Sequence, residues 1–190
     1  MEDVGLSNLK IKYKELEGWE DQIEHYIGFI NEPSHTNLQR VIGNRYNVYK
    51  RLKWEPAEGK WEVTKKMLSH IFGEDLQMIL EYMWNLYIKP KQDLPFVGLV
   101  SEHNQTGKST FINWLSAIFT DNVAVVNSDD FKSNFNEGYI NSLLMVSDEH
   151  AEGKDRIRIA QKMKMILTAK EVRVEGKFKP SYKSARYVKP

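Results

Sequence analysis

Leu99-Val-Ser-Glu-His-Asn-Gln-Thr-Gly-Lys-Ser-Thr110 is the stretch whose reading decides the fold. It joins an apolar run, Leu94-Pro-Phe-Val-Gly-Leu-Val100, to a segment in which Phe111, Trp114, Leu115, Ile118 and Phe119 recur at spacings of three and four. The first run has the character of a buried parallel strand, the second that of one face of a helix. Gly-Lys-Ser-Thr between a strand and a helix reads as a phosphate-binding loop. The full pattern, Gly-x-x-x-x-Gly-Lys-Ser/Thr, wants its first glycine at position 102, where this chain carries Glu102.

The chemistry of such a loop assigns its residues. Backbone N–H groups of His103, Asn104, Gln105, Thr106, Gly107, Lys108, Ser109 and Thr110 would ring the phosphates of a nucleoside triphosphate. Gly107 lets the chain approach closely, and Lys108 would reach the β and γ phosphates as a point charge. The Ser109 hydroxyl would sit on Mg²⁺.

A triphosphate site also needs carboxylates, and Leu143-Leu-Met-Val-Ser-Asp-Glu149 supplies them at the end of a buried-strand pattern. Asp148 would hold Mg²⁺, directly or through water, and Glu149 would orient and activate the attacking water. Between the two motifs lies Val123-Ala-Val-Val126, a second short strand. Asp129 and Asp130 after it suit the cap of a helix starting near Phe131 better than the metal. His103 and His150 flank the motifs, and neither is assigned a role beyond water or phosphate contact.

Composition sets the outer bounds. A chain of 190 residues with 41% hydrophobic and 28% charged residues can bury a real core. The absence of cysteine excludes disulfides and thiolate metal sites and suits a reducing cytoplasm. Met1-Glu-Asp-Val does not open a signal peptide, and no apolar run is long enough to span a membrane. The net charge of +1 hides an asymmetry: residues 1–150 carry 15 Lys/Arg against 22 Asp/Glu, and residues 151–190 carry 12 against 4. A basic C-terminal fifth on an acidic body fits a local anionic partner or a solvated basic tail.

The rest of the chain reads as helical before Pro90. Periodicity predicts helices over 21–29, 37–52, 63–72 and 75–87, with a turn at Trp54-Glu-Pro-Ala-Glu-Gly-Lys-Trp61. Pro90 and Pro95 then end the pattern, placing a boundary near residue 90. The five tryptophans, Trp19, Trp54, Trp61, Trp84 and Trp114, read as core residues rather than as base-stacking platforms.

Taken together, Ser101-Glu…Thr-Gly-Lys-Ser-Thr110, Leu144-Met-Val-Ser-Asp-Glu149, the lead-in Tyr87–Ser101 and the basic segment after them resemble the superfamily 3 helicase domain of phage and plasmid primase-helicases. The likeness is greatest to virulence-associated-E-like proteins of bacterial phages and mobile elements, and it covers roughly residues 45–180. It implies an α/β fold: a P-loop NTPase (AAA+-like) parallel sheet with flanking helices. A mainly helical subdomain over 1–90 would precede the ATPase core over 91–190. It implies ATP and Mg²⁺ as cofactors, with hydrolysis driving a hexameric ring along single-stranded DNA during replication. Further implied partners are other copies of the chain and a primase domain, and the setting is the cytoplasm of a bacterial host, with no membrane.

The resemblance also implies lysines leading into a β-hairpin that faces the DNA, here Lys162, Lys164, Thr168 and then Lys170-Glu-Val-Arg-Val-Glu-Gly-Lys177. Alternation around Val172 and Val174 supports a strand, with Gly176 at its turn. Lys170, Arg173, Lys177 and Lys179 would contact DNA phosphates. The family's next strand ends in an asparagine that senses the γ-phosphate and is followed by an arginine finger. Ser184–Val188 supplies only its beginning, so the chain reads as a fragment, inactive as an ATPase by itself. Two other readings stand beside the helicase: a nucleotide- or DNA-binding assembly module without turnover, and a P-loop kinase of small molecules or nucleotides.

Overall fold

The computed structural model describes residues 26–103, 105–147, 153–178 and 180–189. The architecture is mixed α/β. A small sheet of β1 (Phe29–Ile30), β2 (Val41–Ile42) and β3 (Arg45–Asn47) comes first, followed by α1 (Glu62–Phe72) and α2 (Leu76–Ile88). After the loop come α3 (Lys108–Phe119), β4 (Val123–Val126), α4 (Ser128–Lys132), α5 (Glu137–Ile140) and β5 (Leu144–Ser147). Helix α6 (Gly153–Thr168) leads into β6 (Glu171–Val174) and β7 (Tyr182–Ala185).

The expected helix over 37–52 is not formed. Gly43 and Asn44 both take positive φ, 54° and 61°, and join β2 to β3 as a two-residue hairpin in the register Ile42↔Arg45. Such a turn suits the twist of paired strands and cannot sit inside a helix. Strand β1 then pairs in parallel with β3, so residues 26–29 are not helical either, and the remainder of the expected first helix lies outside the described residues. Buried Asn47 organises this region. Its Oδ1 accepts from the Glu32 and Tyr49 backbone N–H groups at 2.9 and 3.1 Å, and its Nδ2 donates to the Glu32 and Gln39 carbonyls, both at 2.9 Å. One side chain thus satisfies four backbone groups that short strands leave over. Among the described residues before Pro90, helix is therefore confined to α1, α2 and the 3₁₀ turn Gly73–Asp75 between them.

The second difference concerns the sheet. Strands β4 and β5 pair in parallel from Val123↔Leu144 to Val126↔Ser147. Among the described residues, the run 94–100 has no strand partner. Leu94, Val97 and Leu99 pack onto the core, while Phe96 and Val100 are exposed. The expected buried parallel strand is therefore not formed there, since an apolar run carries no information on which strand would pair with it. The other edge of β5 is met by Lys189, whose N–H donates to the Leu143 carbonyl at 2.9 Å and whose carbonyl accepts from Met145 N–H at 2.7 Å. Its buried ammonium donates to the Pro90 and Tyr187 carbonyls, and burial pushes its pKa down to about 8. Arg186 reaches Asp93 at 2.5 Å, so the segments 90–93 and 186–189 are laced together.

The hairpin of β6 and β7 is antiparallel, from Glu171↔Ala185 to Val174↔Tyr182, with Gly176 in its connecting loop. One core cluster gathers Tyr49, Leu68, Leu86, Phe111, Phe119 and Leu144 from both sides of Pro90. A second holds Val126, Phe131, Ile140, Ile166, Val174 and Val188 under the hairpin. Trp54, Trp61 and Trp84 are not core residues: they are 64%, 46% and 63% exposed. Trp54 is tethered instead through its indole N–H, which donates to the Ala117 carbonyl of α3 at 3.0 Å. Among the described residues no helix is long and apolar enough to cross a membrane.

Candidate nucleotide-binding site

Helix α3 starts at Lys108 on Gly107, which has φ 92° and ψ 2° and accepts the Phe111 N–H through its carbonyl at 2.9 Å. This left-handed turn is open to glycine and strained for other residues. A helix start leaves its first N–H groups without intrahelical partners, and they carry the positive end of the helix dipole. Ser109 and Thr110 lie exposed on that first turn.

The ammonium of Lys108 bends back over the loop. It donates to Ser101 Oγ at 2.5 Å and to Thr106 Oγ1 at 3.3 Å, and those two hydroxyls are 3.0 Å apart. Ser101 Oγ also donates to the His103 carbonyl at 2.8 Å. The loop is thus drawn together around one cation through neutral hydroxyls, and among the described residues no carboxylate pairs with it. That leaves a positive charge for an anion to take up. His103, Gln105 and Glu102 are exposed, and Gln105 has φ 61°. Asn104, Asp148 and Glu149 lie outside the described residues.

A cavity of about 300 Å³ opens beside Lys108, Thr106 and Ser101 along the backbone of residues 98–100. The corner between α1 and α2 also lines it, through His70, Ile71, Phe72 and Asp75. Two contacts fix that corner to the loop. A Cβ built on Gly107 would lie 2.9 Å from Ile71 Cγ1, and the rings of Phe72 and Phe111 meet edge-on at 4.8 Å. Ser101, the partner of Lys108, is assigned no role by the sequence reading; its place seven residues before Lys108 in the same loop is the signal that could have found it. His70 and Asp75 carried no signal, because their place beside the loop comes from the packing of α1.

At the carboxyl end of β4, Asn127 caps α4, its Oδ1 accepting from the Asp129 and Asp130 N–H groups at 2.9 and 3.0 Å. Asp130 returns the bond by accepting Asn127 N–H at 2.9 Å, a capping box. The Asp130 carboxylate thus serves the cap, while that of Asp129 accepts from Lys132 Nζ at 3.2 Å, in a helix that begins three residues before Phe131.

The basic residues fall into two groups. Lys162 donates to the Phe131 and Ser133 carbonyls at 2.8 and 2.7 Å and ties α6 to the end of α4. Lys170, Arg173 and Lys177 are exposed on or beside the hairpin, and Lys179 lies outside the described residues. Arg173 bonds Ser181 Oγ through Nε and Nη2 at 3.0 and 2.8 Å and pairs with Glu175 at 3.1 Å, while Lys177 lies 5.3 Å from the centre of the Phe178 ring. Asn136 clamps the hairpin. Its Nδ2 donates to the Arg173 carbonyl and its Oδ1 accepts Glu175 N–H, both at 2.8 Å.

Residues 99–190 match the model of DUF5906, a family of unknown function. No curated protein matches the chain. Three apo structures of the NrS-1 C-terminal region share its fold. One aligns at TM-score 0.71 and 18% identity, covering 97% of this chain and 47% of that one. The others align at TM-scores of 0.69 and 0.61, each at 19% identity and 86% of this chain, covering 41% and 40% of theirs. The chain therefore spans less than half the length of these solved structures, and at such identities the likeness is one of fold.

Proposed function

We propose that this chain is the ATP-binding core of a phage- or mobile-element-encoded replicative DNA helicase of the AAA+-like P-loop class. The observation that carries the reading is Lys108, held over the loop by Ser101 and Thr106 at the left-handed start of α3. A triphosphate would replace those hydroxyls as the partner of the ammonium, with the first N–H groups of α3 behind it. The cavity beside the loop and the exposed Ser109 hydroxyl fit a bound Mg²⁺–ATP. Mg²⁺ would neutralise charge on the phosphates during hydrolysis.

Topology supports the same assignment. Strands β4 and β5 are parallel and end in register at Val126 and Ser147, so Asn127 and Ser147 lie at one edge of the pair, its carboxyl end. Helix α3 runs from the loop to the start of β4, which returns the chain to that edge, the carboxyl end where α/β folds bind ligands. Asp148 and Glu149 follow Ser147 directly in sequence, in the roles of metal ligand and water-activating base. Lys189, on the far edge of β5, occupies the place the helicase resemblance gives to the sensor strand, between the acidic strand and the segment leading to the loop. The basic hairpin would face single-stranded DNA, and ring assembly would follow from the same resemblance.

The test is ATP hydrolysis with and without single-stranded DNA, in the parent chain, in a Lys108→Ala variant and in a version extended past Pro190. DNA-stimulated turnover that disappears in the variant supports the helicase. Turnover indifferent to DNA but dependent on a small acceptor would replace it with a kinase.

A further inference from the structure

We propose that the corner between α1 and α2 is the nucleoside half of the site. A nucleoside triphosphate held by its phosphates on the loop would lay its sugar and base against His70 and Asp75. The inference rests on the phosphate-loop reading and adds to it the residues that recognise the rest of the ligand.

The cavity lining is of two kinds: the Lys108 side chain with the Ser101 and Thr106 hydroxyls, and His70 and Asp75 of the corner, together with the apolar Ile71, Phe72 and Leu99. An anionic tail and a flat, partly apolar, hydrogen-bonding head match those two kinds of lining. The corner is fixed to the loop rather than resting near it, because Ile71 closes on Gly107 and Phe72 on Phe111. A ligand anchored on Lys108 therefore meets the corner without a rearrangement of the two.

Asp75 supplies a second, independent observation. It occupies the N-cap position of α2, where an aspartate ordinarily accepts a backbone N–H of the first turn, yet it makes no capping bond. Among the described residues its carboxylate has no hydrogen-bond or ion-pair partner, and the same holds for the His70 ring. Asp75 closes the 3₁₀ turn that runs into α2, and the Gly73 carbonyl accepts the Leu76 N–H, so the carboxylate is not used by the helix and, lining the cavity, is available as an acceptor for hydroxyl or amino donors of a nucleoside. Phosphate cannot be its ligand, since like charges repel. The carboxylate thus sorts the two halves of the ligand between the two kinds of lining.

The experiment compares Mg²⁺–ATP with inorganic tripolyphosphate by isothermal titration against the full chain and its Asp75→Asn, His70→Ala and Lys108→Ala variants. Asp75 and His70 are exposed, so their replacement spares the fold, and retained tripolyphosphate affinity reports an intact loop. Loss of the Asp75 contact should weaken ATP roughly tenfold and leave tripolyphosphate unchanged. Removing a negative charge alone would tighten both anions, so a selective loss for ATP reads the nucleoside contact. Lys108→Ala should weaken both ligands. If both ligands bind the parent chain and the Asp75 and His70 variants match it on both, the proposal is overturned while the loop reading stands. If neither ligand binds the parent chain, both fall.

Discussion

Gly107 of the phosphate loop and Ile71 of α1 touch so closely that a Cβ on residue 107 would lie 2.9 Å from Ile71 Cγ1 and 3.1 Å from its Cδ1. The same glycine holds φ at 92°. Two separate reasons therefore require glycine here, one in the backbone and one in the packing. Gly107→Ala should lower stability by about 1–3 kcal/mol in urea unfolding, from left-handed strain together with the contact. Combining it with Ile71→Ala, which removes both contacting carbons, should leave the backbone part of that loss in place, measured against Ile71→Ala alone. Full recovery in the double variant would show that the strain is not real.

The His35 ring stacks on Tyr87 at 5.4 Å and 1°, beside Phe119 and Tyr49, and burial pushes its pKa from 6.5 down to about 4. The folded state thus holds the ring neutral where the unfolded chain would protonate it. Its contribution is complete above pH 6.5 and is lost as pH falls from 6.5 toward 4. Unfolding midpoints measured across that window should drop with acid in the parent chain and drop less in a His35→Phe variant. Equal pH slopes would contradict this.

Asn136 is the clamp between the α4–α5 connection and the hairpin. Besides its two side-chain bonds, its backbone N–H donates to the Glu175 carbonyl at 3.0 Å. Asn136→Ala should cost about 1–3 kcal/mol, because it leaves the Glu175 N–H and the Arg173 carbonyl without these partners. Amide exchange at Glu175 should accelerate more than exchange in β4. Uniform acceleration would mean global destabilisation instead.

If the hairpin contacts DNA phosphates, each basic residue adds a salt-dependent, sequence-independent term. Replacing Lys177 by Ala should reduce the slope of log affinity against log salt by roughly 0.7–0.9 for single-stranded DNA. Arg173, already engaged by Ser181 and Glu175, should contribute less than Lys177. An unchanged slope in the Lys177 variant would move the DNA contact elsewhere.

What was legible in the sequence follows the range of the forces involved. Helices α1 and α2 stand within a residue of their predicted limits and α3 carries the predicted face from Phe111 to Phe119, because an apolar stripe of period 3.6 is a local signal. Strands β4, β5 and β6 were readable as short apolar or alternating runs. The region 37–52 failed because its apolar spacing was compatible with a helix, and the Gly43-Asn44 turn that decides the matter was not weighed. The run 94–100, expected as a buried parallel strand, forms no strand among the described residues, because strand pairing is a tertiary event its own residues do not encode. In the site, Lys108 and its two hydroxyl partners lie within one loop, where their spacing could have joined them. The corner, His70 to Asp75, reaches the loop only through the packing of Ile71 and Phe72.

The central claim is that Lys108 on its left-handed glycine binds a nucleoside triphosphate. Its most direct test is isothermal titration of Mg²⁺–ATP into the parent chain and into Lys108→Ala. Removing a charge-assisted contact should weaken binding by roughly 10–100-fold. Equal affinity in the two proteins, or no binding in either, would contradict the assignment.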